Sequence, residues 1–318
     1  VEHPPTLAIA LEELAEARIA ADDMKEARAT LEELAEVAGR AADDRLTAIA
    51  WNETIRVLRA LKRPDEARQV VPVAHAAVAR AGDEPALRIQ LAMHEATLIG
   101  ATGEAARALT ILDEARALLG PDAEAGPGAD LARGLEMTTA ITLANARRFD
   151  EAAAAFERTI AVAITSLGAD HPQLVGAYSN LAEARRRGGH VATSVDALRE
   201  AARIAEARGE QTKALARIWA RLAGTELEAG RAEAALAGYD RALALAARIA
   251  PDDAALANDV GADRGLALRE LGRFPEAVAA YDQIIARAQQ AGLAGPTAFQ
   301  AYLNRGLAKR DAGDLAGA

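Results

Sequence analysis

Five histidines, His3, His75, His94, His171 and His190, are the side chains best suited to hold a metal or move a proton near neutral pH. No two of them stand at i,i+4, and no His-Glu-x-x-His run occurs, so the helical spacing that aims two imidazoles at one ion is missing. His75 and His94 fall on successive helices and can come close, but two ligands do not complete a zinc site. His171 belongs to a turn. The carboxylate pairs Glu12–Glu13 and Glu32–Glu33 would work as acid and base only inside a pocket; on an amphipathic helix they read as its solvated face. Cysteine is absent, which removes thiolate nucleophiles, thiolate metal sites and disulfides. No phosphate loop is present, since GPDAEAGPG at 120–128 has no lysine and no strand before it. The Arg185–Arg186–Arg187 run closes a helix, where cations offset the negative end of the macrodipole. The residues therefore assign no catalytic group, no metal ligand and no cofactor.

The totals point the same way. The 318 residues carry 37 basic and 47 acidic side chains, a net charge of −10, which argues against a general affinity for nucleic acid. No window approaches the apolar length of a membrane span, so no membrane partner is expected. Hydrophobic residues make up 51%, too many for a disordered chain, yet 85 are alanine and only ten are aromatic. Alanine buries little area but is the best helix former, so a thin helical object with close helix contacts fits better than one thick core. The absence of cysteine suggests a reducing, cytoplasmic setting.

The elements that would position any site repeat along the chain. A turn, an acidic residue, a small residue and an apolar run recur as MKEARATL at 24–31, PDEARQVV at 64–71, FDEAAAAF at 149–156, AEAALAGY at 232–239 and FPEAVAAY at 274–281. The small residue at the fourth place serves as an anchor: Ala27, Ala67, Ala108, Ala152, Ser194, Ala235, Ala277 and Ala318. Anchors follow one another at about 42 residues, a repeat length typical of stacked supersecondary units. Four residues after each complete anchor stands a large apolar residue: Leu31, Val71, Leu112, Phe156, Leu198, Tyr239 or Tyr281. Twelve before it stands a small one, with Ile55 the exception; five before it stands Gly103, Gly189, Gly230, Gly272 or Gly313, the expected helix terminator.

Between anchors the apolar period is helical, and no alternating run suggests a strand. Each period thus holds two helices, A and B. We expect one array over 1–318, with units near 5–40, 45–81, 85–119, 129–168, 173–209, 212–250 and 254–292, a truncated unit at 297–318, and a possible hinge at 120–128. The chain opens on Val1 rather than Met and closes on an anchor, which we read as an expectation that it is a segment of a longer protein.

The pattern resembles the tetratricopeptide repeat. Tyr178, Leu181, Ala182, Ser194, Leu198 and Ala201 fill that family's signature places in the fifth unit, and Trp219, Leu222, Ala223, Ala235, Tyr239 and Ala242 fill them in the sixth. The longer period is similar to kinesin light chains, with SLGADHPQLVGAYSNLAEARRRGG at 166–189 the nearest stretch, and to arrays in the C-terminal regions of bacterial serine/threonine kinases and signalling ATPases. No kinase element is present here. The resemblance implies an all-α fold, a right-handed α-solenoid of stacked antiparallel helix pairs. It places Trp51 and Trp219 at a packing position.

The resemblance also implies that helices A line a concave groove for a protein or peptide. It assigns to that groove Asn52, Arg56 and Arg59 in the second unit, Met93 and Thr97 in the third, and Met137 and Ile141 in the fourth. Ser179, Asn180, Glu183 and Arg186 follow in the fifth. The lysine–asparagine pair of the chaperone-tail carboxylate clamp is missing at the matching positions. We expect a non-enzymatic, protein-binding scaffold, or alternatively the regulatory sensor region of a larger bacterial signalling protein such as a serine/threonine kinase.

Overall fold

The structure is a computed structural model and describes residues 4–120, 128–209, 211–250, 253–290, 296–314 and 317. His3, the anchor Ala318 and residues 121–127 of the expected hinge lie outside the described residues. Among the described residues there are fifteen helices and no strand. They run as A and B partners: α1 (Pro4–Ala20) with α2 (Met24–Arg40), α3 (Asp44–Ala60) with α4 (Pro64–Arg80), α5 (Pro85–Gly100) with α6 (Ala105–Arg116), and α7 (Ala129–Asn145) with α8 (Phe149–Leu167). Then come α9 (Gln173–Arg187) with α10 (Val191–Ala207), α11 (Lys213–Glu228) with α12 (Ala232–Ile249), α13 (Ala254–Glu270) with α14 (Phe274–Gln290), and finally α15 (Pro296–Asp311). Packing divides the chain into two compact units, Val1–Ser166 and Leu167–Ala318.

Local chemistry starts and stops these helices. Asp43, Thr212 and Asp253 cap α3, α11 and α13 by accepting the amides of Leu46, Leu215 and Leu256 at 2.9, 3.2 and 3.1 Å. Pro64 and Pro85 occupy the first turns of α4 and α5, where no amide is required. Each A-to-B turn closes through one residue in the left-handed region, five before its anchor: Asp22, Lys62, Gly103, Arg147, Gly189, Gly230, Gly272 and Gly313. At the second turn the Lys62 and Arg63 amides donate to the Arg59 and Leu58 carbonyls at 3.0 and 2.9 Å, which satisfies two end carbonyls.

Packing explains the repeat. The anchors Ala27, Ala67, Ala108, Ala152, Ser194, Ala235 and Ala277 are all buried. The Ser194 hydroxyl donates to the Ala182 carbonyl at 2.7 Å, which shows anchor and preceding small residue meeting face to face. A methyl added at Gly238 would sit 2.9 Å from the Ala223 Cβ, so α11 and α12 approach about as closely as their backbones allow. Into the space beside these contacts go the large residues four places on. Phe156, Tyr239 and Tyr281 are among the largest fully or almost fully buried side chains, each contributing about 2–3 kcal/mol. The result is the all-α solenoid of helix pairs, with the core distributed along the array rather than gathered in one place.

Candidate functional site

In the unit Val1–Ser166, helices α1, α3 and α5 present neighbouring faces. A cleft of about 430 Å³ opens there. Ala15, Ile19, Ile49 and Leu87 give it an apolar lining, and Glu12, Glu16, Glu53 and Arg56 are charged members of it. Burial raises the Glu12 and Glu53 carboxyls above the ordinary range, and the nearby Glu16 adds to the rise in both. Arg56 answers Glu53 at 3.0 Å, and Arg45 answers Glu84 at 3.2 Å. The sequence placed Glu12 on a solvated helix face, whereas it is half-buried in the cleft lining; Glu16 and Glu53 were not singled out, and the i,i+4 spacing of Glu12 and Glu16 was the available signal.

The expected residues of this unit sit as follows. Asn52 is buried, and its Nδ2 donates to the Leu87 carbonyl at 3.2 Å, tying α3 to α5; its Oδ1 has no hydrogen-bond partner among the described residues. Arg59 is half-buried, loss of water lowers its pKa, and no described residue forms an ion pair with its guanidinium. His94 lies close enough to be influenced by it. Burial first, and then the positive charges of Arg59 and Arg56, push the imidazole down to about 4. His94 is thus neutral at physiological pH. Its partner in the earlier expectation, His75, instead bonds Glu95 at 2.9 Å. Among the described residues no cluster of three or more His, Asp or Glu could hold a metal.

Met93 is half-buried, and a methyl at Gly134 would lie 3.4 Å from its Sδ, so Met93 rests on α7. Thr97 spends its hydroxyl on the Met93 carbonyl at 2.7 Å. On α7, Met137 is half-buried and Ile141 is 39% exposed, one turn further along. In the unit Val1–Ser166, Arg56 and Arg59 thus lie near His94, and Met93 lies against α7, the helix that carries Met137 and Ile141.

In the unit Leu167–Ala318 the expected residues meet a different fate. Ser179 is buried, and its carbonyl accepts from Arg221 at 3.0 Å. Asn180 is exposed. Glu183 takes Arg186 at 3.1 Å and Arg187 at 2.6 Å; burial raises its carboxyl, but these hydrogen bonds outweigh that and hold it below the ordinary range. Arg186 also reaches Glu228 at 3.1 Å. Glu183, Arg186 and Glu228 line a cleft of about 330 Å³ with Arg221 and Asp263, and Glu183, Arg186, Arg221 and Glu228 are engaged with one another. The Arg185–Arg187 run does close α9, as its sequence context implied.

Helix pairs stacked in series, with small residues at the contacts of α9 with α10 and of α11 with α12, have the fold of a tetratricopeptide-type array. Residues 135–207 match the tetratricopeptide repeat family directly. BtubC (BKLC) from P. vanneervenii is similar over 74% of this chain and 93% of its own, at 19% identity and a TM-score of 0.61. A putative kinesin light chain with nearly identical repeats, from Podosopora anserina, is similar over 65% of this chain and 98% of its own, at 18% identity and a TM-score of 0.56. A signal transduction ATPase with a tetratricopeptide repeat sensor, from Pyrococcus horikoshii, covers 96% of this chain at 13% identity and a TM-score of 0.73, while this chain spans 45% of it. At such identities the likeness is one of fold. No curated protein matches the sequence. No helix of the described residues is long and apolar enough to cross a membrane.

Proposed function

We propose that this chain is a non-catalytic, protein- or peptide-binding scaffold that works through the helix-A faces of its first unit. The observation that carries the reading is Arg59: a half-buried guanidinium with no ion-pair partner among the described residues, beside a neutral imidazole and next to a methionine-lined stretch. A desolvated cation gains most from an anionic group delivered by a partner, and methionine adapts to varied apolar anchors. The occupant is a peptide, extended or helical, with an acidic residue over Arg56 and Arg59 and apolar residues against Met93, Met137 and Ile141. The Thr97 hydroxyl and Asn52 shape the floor, whereas in the unit Leu167–Ala318 Ser179 is buried and Glu183 and Arg186 are paired, which leaves Asn180 as the exposed polar side chain among those four.

A peptide array probed with the folded chain tests this. The expected outcome is a preferred set of acidic–apolar peptides, bound about tenfold more weakly by Arg59→Glu and by Met93→Ala at unchanged helicity. No sequence preference, or binding indifferent to both substitutions, removes the proposal. The alternative, a sensor segment of a larger signalling protein in a bacterial cytoplasm, is supported by the repeat-sensor ATPase whose array spans nearly all of this chain. The coding sequence on either side decides: a contiguous kinase or nucleotide-binding domain favours the sensor, and a short capped array favours the free-standing scaffold.

A further inference from the structure

Trp219 stands apart from the repeat's other packing residues. It is half-buried against the core of α11 and α12, yet one face of its indole is covered by the Arg241 guanidinium at 4.6 Å from the ring centre. Its Nε1 donates to Glu206 at 3.0 Å. Two hollows flank the ring. One, of about 360 Å³, is lined by Leu215, Leu245, Ala244, Gln211, Arg241 and Arg248; the other, of about 460 Å³, runs over Ala202 and Arg203 of α10. At 3.6 residues per turn, Leu215 and Trp219 lie roughly 120–180° around α11 from Arg221, Gly224 and Glu228, which line the helix-A cleft. The tryptophan hollow is therefore on another side of the helix from the face assigned above.

Its charges are free where those of the helix-A cleft are spent. Arg241 has no carboxylate partner among the described residues; it is exposed and held only by the indole. Arg248 is bonded to the neutral Gln211 side chain. Among the described residues the one carboxylate that lines the hollow, Glu206, is engaged by the indole N–H. A guanidinium stacked on an aromatic ring keeps its in-plane N–H groups available for a carboxylate, and stacking lowers the entropy lost in holding it. Leu215, Leu245 and the indole edge supply an apolar floor between the two arginines.

We propose that this hollow is a second docking surface, for an acidic extended segment of a protein partner that carries an apolar residue between its carboxylates. The carboxylates bind Arg241 and Arg248, and the apolar side chain lies on Leu215, Leu245 and Trp219. The chain holds two tryptophans, so Trp51→Phe leaves Trp219 as the sole indole reporter. The probe is the acetylated, amidated peptide Asp-Glu-Leu-Glu-Asp titrated into that variant, with its Asn/Gln counterpart as control. Expected are a saturable change in Trp219 emission below about 1 mM peptide, none with the control, and affinity lowered about tenfold by Arg241→Glu or Arg248→Glu. Labelled-peptide anisotropy gives the same affinities independently of the indole. Absence of saturation, equal binding of the uncharged peptide, or binding that ignores both glutamate substitutions overturns the proposal. So does binding abolished by Arg59→Glu instead, which would place the peptide on the helix-A face and leave that separate reading standing.

Discussion

Tyr281 shows how one side chain can be both well packed and imperfect. It is fully buried, and a methyl at Gly265 would come within 2.5 Å of its ring, so the two positions are matched. Its hydroxyl has no hydrogen-bond partner among the described residues, and burial pushes its pKa up to about 12. Gly265→Ala is therefore expected to cost about 1–3 kcal/mol through overpacking, while Tyr281→Phe is neutral or stabilising by up to about 1 kcal/mol. Urea denaturation of the two variants checks both signs. The histidines give a second residue-scale expectation. A hydrogen bond to Glu95 raises His75, so that link stabilises the fold below the ordinary histidine range and is lost as pH climbs through the raised value. His94 behaves oppositely. Its folded value of about 4 means the unfolded chain takes up the proton first, so stability falls as pH drops from about 6.5 toward 4. Proton NMR of the two imidazoles should show His94 titrating near pH 4 and His75 above its ordinary midpoint; a His94 midpoint near 6.5 would refute the desolvated environment beside Arg59. None of this was readable from residue type, because it depends on which neighbours remove water. The same holds for Asn52: its repeat position suggested a groove residue, but the Leu87 carbonyl of the next A helix lies against it.

At the scale of the helix pair, the sequence said most and the structure adds one thing. The anchors, the large residues four places on and the turn glycines were legible as a pattern because each serves the same contact in every unit. Less visible was that the turn position five before the anchor takes the left-handed conformation whatever residue fills it. Lys62 (φ 60°) and Arg147 (φ 61°) hold it without glycine's freedom. A left-handed L-residue costs roughly 1–2 kcal/mol, offset in part by glycine's larger unfolded-state entropy. Lys62→Gly and Arg147→Gly should each stabilise by about 0.5–1 kcal/mol, and Gly189→Ala should cost about 1 kcal/mol. Thermal melts rank the three; a loss on either Lys62→Gly or Arg147→Gly would mean the side chain holds its turn by contacts instead. The arginines explain a further gap in the sequence reading. Arg186–Glu228, Arg221–Ser179 and Arg269–Asp311 each join residues 42 apart, one repeat period, so they rung together neighbouring A helices. A search for groove cations sees the guanidinium but not its partner one unit later.

Across the molecule, stability is a sum of neighbour terms, because the helices that pack together are one or two apart in chain order. No residue in such an array reports to all others, in contrast to a single-core domain that unfolds as a whole. Leu112 on α6 is fully buried among Ile89, Ala96 and Ala108 of the same helix pair and Leu135 of α7. Leu112→Ala removes about 2–5 kcal/mol from that neighbourhood. Hydrogen exchange should then show protection falling in α5, α6 and α7, which carry Met93, Thr97 and Met137, while α1, α2 and α11 to α14 keep theirs. Peptide binding at the helix-A faces of the first unit should weaken in step with the loss in α5, because a frayed helix must be re-ordered before it can present its side chains. Emission of Trp219, held by α10 to α12, should stay unchanged in the same variant. Protection lost evenly over all fifteen helices would instead show one cooperative body. A scaffold of independent neighbourhoods could then no longer account for two docking surfaces that are loaded separately.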